Sequence, residues 1–273
     1  MSYNRINIPI ASRLLLDPRP IWTPSLITTA AWYDAYDTST IIFGTGTKVS
    51  QWTDKSGNGK NVTQGNANYQ PTYIASDPMI NGKPSIYALN DAIQPRGLNQ
   101  SSAISVKRVY VVCYMGNGTE LIWGNHKCLF SSTDALVRLT GRAGAAPDGT
   151  RVFDGSRAAQ NFDYFTDTYT PNNLPTTFRN GSTTSTTYQL NGLPIPADIF
   201  VIESTTTHNK TWRLFNNGAS YSVFGGGISE FIMTDGSETL LTQQKIEGYF
   251  AWKWNLVIFL PVTHPYKNER PLA

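Results

Sequence analysis

Between residues 26 and 236 the chain repeats one pattern, a short apolar or aromatic run followed by a cluster of turn-forming residues. The clusters read "KSGNGKN", "DPMINGKP", "YMGNGTE", "AAPDGT", "TPNNLP" and "RNGSTTS". Runs this short leave no room for ordinary helices, and short strands separated by such turns fold as an antiparallel sandwich or jelly roll. Two runs read as core strands. Residues 107–115, "KRVYVVCYM", are rich in β-branched and aromatic side chains, and residues 228–234, "ISEFIMT", form a near-continuous apolar run with one carboxylate. The Asn-Gly pairs inside "TTYQLNGLPIP" and "TWRLFNNGASYSVFGGG" predict tight hairpins, because Asn-Gly tolerates the positive φ of such turns.

Only one segment carries a helical period. In "DGSETLLTQQKIEGYFAWKW", Ile246, Tyr249, Phe250 and Trp254 fall on one face of a 3.6-residue repeat, which predicts an amphipathic helix over about 237–254 with a buried aromatic face. Asp235 and Glu238 have the spacing of a capping box at its start. Gly248 costs helix stability, so its presence predicts a close backbone approach to the sheet. The helix stops at Asn255, and Pro261 and Pro265 enforce an extended exit.

At the other end, Pro9, Pro18, Pro20 and Pro24 exclude regular helix from residues 1–25. This segment reads as an extended arm. It is either a solvated tail or, given Ile6, Ile8, Ile10, Leu14, Leu15 and Ile21, a segment that docks on another subunit. Residues 26–273 then make one domain. With 273 residues, 15% charged and 40% hydrophobic, the chain can build a substantial core. The formal charge of +3 is not gathered into a basic run, which argues against nucleic acid as a partner. No signal peptide is recognisable in the first twenty residues, and no apolar run approaches the ~20 residues of a membrane span. A soluble protein is expected, with Cys113 and Cys128 as buried free thiols.

Three separated blocks carry a family resemblance. The first is "VSQWTDKSGNGKNVTQGNANYQPTYI", with "INGKPSIY" soon after. The second is "FGGGISEFIM". The third is "IEGYFAWKWN", followed by "LP" and "HPYK". Together they resemble the concanavalin A-like, laminin-G-like jelly-roll modules of bacteriophage virion proteins, across residues 32–267. The resemblance implies an all-β, concanavalin A-like antiparallel sandwich with one C-terminal helix. It also implies a non-enzymatic structural role on a tail, baseplate or capsid surface, with host attachment through cell-surface polysaccharide as a further option. Other virion proteins, reached through the N-terminal arm, and further copies of the chain in a homo-oligomer are the implied partners. A free carbohydrate-binding protein or a glycan-active hydrolase of the same fold is the alternative. The family's K-W-G-L tail reads "KWNL" here, and the middle of the chain, about 116–187, matches no part of the pattern.

The candidate sites follow from residue chemistry. A glycosidase of this class needs two carboxylates on one strand face, at even separations. Glu230, Asp235 and Glu238 do not meet that rule, so no catalytic residue is assigned and Glu230 reads as an acceptor for loop amides. His126, His208 and His264 lie far apart and lack a triad context. No cofactor is assigned. Calcium could be held by Asp34 with Asp37 or by Asp163 with Asp167, although turn capping also accounts for these pairs. Glycan contacts are assigned to Trp123, Asn125, Asp163, Tyr164 and Tyr169, where aromatic faces neighbour polar groups. Trp52, Asp54, Gly57, Glu230, Gly248, Tyr249 and Trp254 read as structural anchors.

Overall fold

The computed structural model describes residues 19–89, 96–115, 126–133, 138–142, 151–152, 176–179, 181–184, 189–190, 195–216 and 225–273. Residues 1–18 of the expected arm, and Trp123, Asn125, Asp163, Tyr164, Asp167 and Tyr169, lie outside this set.

In chain order the strands are β1 (Ala31–Asp34), β2 (Ile41–Phe43), β3 (Val49–Trp52), β4 (Val62–Thr63), β5 (Thr72–Asp77), β6 (Lys83–Ala88), β7 (Leu98–Gln100), β8 (Ile104–Met115) and β9 (His126–Ser132). They continue with β10 (Arg138–Arg142), β11 (Arg151–Val152), β12 (Thr176–Arg179), β13 (Ser182–Thr184), β14 (Gln189–Leu190), β15 (Ile195–Lys210), β16 (Trp212–Leu214) and β17 (Gly226–Thr234). Helix α1 (Leu240–Lys253) follows. The strands form two antiparallel sheets. One runs β13-β12-β15-β8-β17-β6-β5, and the other runs β14-β11-β10-β9-β16-β7-β4-β3-β2. In the first sheet β6 and β1 share one edge of β17 end to end, β6 pairing Gly226–Ile228 and β1 pairing from Glu230 onward.

The two faces of the first sheet are covered differently. Val109, Val111 and Cys113 of β8 point into the core against the second sheet, where they meet Trp52, Phe130 and Trp212. The alternate residues Tyr110, Val112 and Tyr114 point the other way, into a second core built by α1. This explains the continuous apolar run of β17, whose every residue is buried. Strand β17 carries a bulge between Ile228 and Glu230 in its pairing with β8. Ile228 and Phe231 both face the inter-sheet core. The extra residue shifts the alternation by one and turns Glu230 toward the helix.

Ile246, Tyr249, Phe250 and Trp254 are all buried in the helix-side core, as the period predicts. The helix start differs from expectation. Asp235 accepts hydrogen bonds from the backbone N and Oγ of Ser237 and Glu238 faces Arg108, so the cap is Thr239, whose hydroxyl accepts from Thr242 N at 3.2 Å. A local Asp turn has outcompeted the capping box. The stop is as expected: Asn255 takes φ 59°, and Leu256 N donates to Ala251 O at 2.8 Å, closing a Schellman turn. Gly248 makes its close approach to the exit segment instead of the sheet, since a Cβ there would lie 2.6 Å from Tyr266 Cβ. Trp252 Nε1 donates to Tyr266 O and Lys245 Nζ to Leu272 O, so the proline-broken tail lies over the outer side of the helix. Residues 20–22 join that layer: Trp22 N donates to Pro271 O, Ala273 N to Pro20 O, and the buried Trp22 ring meets Tyr249 edge-on at 6.2 Å.

The two expected Asn-Gly hairpins, at residues 191–192 and 217–218, lie outside the described residues. Strand β14 belongs to the second sheet and β15 to the first, and β16 and β17 are split likewise. A tight hairpin does occur at β12 and β13, where Arg179 pairs Ser182 and Gly181 takes φ 79°. Cys113 and Cys128 are buried free thiols in different sheets. Among the described residues, no helix is long and apolar enough to cross a membrane.

Candidate functional site

The described polar groups converge on one place, where β1, β17, the loop after β3 and the end of α1 meet. Glu230 is its centre and is 0% exposed. Its Oε1 accepts from Trp32 Nε1 at 2.8 Å and Tyr249 OH at 3.0 Å, and its Oε2 accepts from Trp254 Nε1 and Lys253 Nζ, both at 2.7 Å. Four donors meet the four lone-pair directions of one carboxylate. The partners are two indoles, a phenol and an ammonium, which corrects the expected loop amides. Burial raises the Glu230 pKa, against the Lys253 charge that favours the carboxylate. Burial, reinforced by the Glu230 and Asp34 charges, likewise pushes the Tyr249 phenol far up, so it serves as a donor.

Asp34 sits directly across the β1–β17 ladder from Glu230. Its Oδ1 accepts from Lys253 Nζ at 2.7 Å and Tyr36 N at 3.0 Å, and its Oδ2 faces Lys55 Nζ at 3.0 Å. Lys55 also reaches Asp37 Oδ2 at 2.8 Å and lies 4.7 Å from the Trp32 ring centre. Burial works against the Lys55 charge, but hydrogen bonds and attraction from Asp37 and Asp34 outweigh it and raise its pKa. At Asp34 and Asp37, the cations beside the carboxylates are thus ammonium groups. Among the described residues, no cluster of three or more His, Cys, Asp or Glu side chains has metal-site geometry.

The loop after β3 is organised by Asp54. Its Oδ1 accepts from Trp32 N and Ser56 N at 2.9 Å, and its Oδ2 from Ser56 Oγ at 2.7 Å and Lys60 N at 2.9 Å. Gly57 and Gly59 take φ of 86° and 67°, conformations that side chains resist. Trp52, just before this loop, is fully buried and packs on Tyr33 at 5.6 Å. Trp32 thereby links the Asp54 loop, through its backbone, to Glu230, through its indole.

The histidines are dispersed. His208 Nε2 lies 2.8 Å from Ser204 Oγ in a buried setting. His264 Nδ1 accepts from Tyr266 N, which leaves Nε2 to donate to Glu247 Oε2 at 3.1 Å. Glu247, buried within α1, is an acceptor that the sequence did not single out. Near the Asp54 loop an open cleft of about 380 Å³ is lined by Thr28, Asn58, Lys60, Ser105 and Asp235, among others. Comparisons with protein-family models, with curated protein sequences and with solved structures return no match.

Proposed function

We propose that this chain is a non-enzymatic structural module of a bacteriophage virion, a lectin-like jelly roll carried on a tail, baseplate or capsid surface. The observation that carries this reading is the saturation of Glu230. A hydrolase needs a carboxyl group that substrate or water can reach, and every lone-pair direction of this one is occupied inside a closed aromatic shell. Asp34 and Glu230 form a carboxylate pair, which would favour the hydrolase alternative, but Lys253 fills the space between them. Further support comes from the three blocks that resemble virion jelly-roll modules, because all three meet here: Asp54, joined through Trp32 to Glu230, and Tyr249 with Trp254.

The polar groups of the cleft beside the Asp54 loop suit a polyhydroxylated ligand such as a host surface glycan. Lys60 and Asp235 offer a donor and an acceptor there, with the hydroxyls of Thr28 and Ser105. Exposed Ile258, Phe259 and Val262 add an apolar surface for neighbouring subunits in a homo-oligomer. Residues 1–18 are the proposed anchor to other virion proteins.

The test is incorporation. Particles are assembled with the chain lacking residues 1–18 and probed for the protein. Loss of the folded, truncated chain from purified particles is the expected result, and normal incorporation would overturn the anchoring role.

A further inference from the structure

The geometry points to a covalent crosslink: we propose that Lys253 Nζ and the Asp34 carboxyl group condense to an amide, with Glu230 as the proton carrier. Lys253 Nζ lies 2.7 Å from Asp34 Oδ1 and 2.7 Å from Glu230 Oε2. With a C–O bond of about 1.2 Å, the Asp34 carboxyl carbon is within about 4 Å of that nitrogen, close to the ~3–3.5 Å of a near-attack geometry. An ordinary surface ion pair has water on all sides. Here the Asp34 and Glu230 side chains are buried, and the Tyr249 and Trp254 rings stand 5.2 and 5.1 Å from the ammonium. Burial of the two carboxylates favours the neutral amide over separated charges.

Each neighbour has a role in the step. Lys253 passes a proton along its hydrogen bond to Glu230, whose burial stabilises the protonated form. The freed amine attacks the Asp34 carboxyl carbon and a C–N bond forms. Negative charge then gathers on Oδ2, which Lys55 Nζ meets at 3.0 Å. The C–Oδ1 bond breaks and Oδ1 leaves as water. Of the three ammonium hydrogens, one stays on the amide nitrogen and two leave with Oδ1, so Glu230 ends in the state in which it began. No oxidant, metal or activating group is required. Lys55 also touches Asp34, but it lacks the contact with Glu230 that Lys253 has, and so it serves as the electrostatic partner. The product would tie the first strand of the first sheet to the end of the only α-helix among the described residues.

The test is mass spectrometry of the purified full chain. The expected result is an intact mass below that of the sequence by one water, and a digest containing a branched peptide that joins Asp34 to Lys253. Lys253→Arg, which keeps the positive charge, restores the full mass. Asp34→Asn keeps the crosslink and loses ammonia in place of water. Glu230→Gln leaves the chain uncrosslinked. A folded wild-type chain at full sequence mass, or a branch at Lys55 instead of Lys253, would overturn the proposal. Crosslinking that persists in Glu230→Gln would overturn the role of Glu230.

Discussion

Asp34 and Glu230 face each other across paired antiparallel strands, and a single ammonium, Lys253 Nζ, lies 2.7 Å from an oxygen of each. Two like charges held this close would repel, and the lysine from the helix end offsets that repulsion. The last turn of α1 is thereby locked to the edge where β1 takes over from β6. Before any condensation of Lys253 with Asp34, the sheet and the helix are held to each other by this charge cluster as well as by apolar burial.

Trp254 should be the most sensitive indole of the helix. Trp254→Phe removes a donor from Glu230 Oε2 and leaves space in a fully buried site, at a cost of about 2–4 kcal/mol. Trp252→Phe loses only the partly exposed bond to Tyr266 O and should cost about 1 kcal/mol. Denaturant unfolding of both variants checks the ordering.

Gly248→Ala gains up to about 1 kcal/mol in helix propensity, yet it should destabilise the protein. The new methyl would lie 2.6 and 2.7 Å from Tyr266 Cβ and Cγ, so the tail must shift, at a net cost of about 1–3 kcal/mol. Adding Tyr266→Gly should recover part of that loss, since it removes both atoms. Thermal unfolding of the single and double variants measures this.

Two carboxylates should give opposite pH responses. Burial opposes the charge of Glu203, but hydrogen bonds from Arg108 and Lys107 outweigh it and hold its pKa below the usual value. Its contribution is present above the unfolded pKa of about 4.3 and fades as pH falls through the lower folded value. Since the group is partly exposed, the loss should stay below about 1 kcal/mol. Glu230 has a raised pKa, so its contribution is present below about pH 4.3 and fades as pH rises through the folded value. Glu203→Gln should therefore flatten the acid limb of the stability profile, with little effect at neutral pH beyond the lost ion pairs.

Removal of residues 1–18 should leave the unfolding midpoint of the domain unchanged. Trp22→Ala should lower stability by about 3 kcal/mol, because this ring is buried against Tyr249. The boundary between arm and domain thus falls before Trp22, and calorimetry of the two variants locates it.

Local chemistry made much of this fold legible. Turn clusters marked the strand ends, the period of Ile246, Tyr249, Phe250 and Trp254 marked the buried helix face, and Asn255 marked its stop. What the sequence could not show depended on long-range pairing. Asp34 and Glu230 meet only because β1 lies along β17, and a bulge, invisible in the residue pattern, turns Glu230 to the helix side. An even-spacing rule applied within one strand cannot find a pair built across two. At the helix start two local options competed, and the Asp235 turn with Ser237 won.

The most direct test of a non-enzymatic module is to incubate the purified protein with host envelope polysaccharide and follow polymer length by size-exclusion chromatography with light scattering. The account predicts that polymer mass stays constant over prolonged incubation, whether or not the protein co-elutes with it. Progressive shortening of the polymer, abolished by Glu230→Gln or Asp34→Asn, would contradict it and assign the buried carboxylate pair to catalysis.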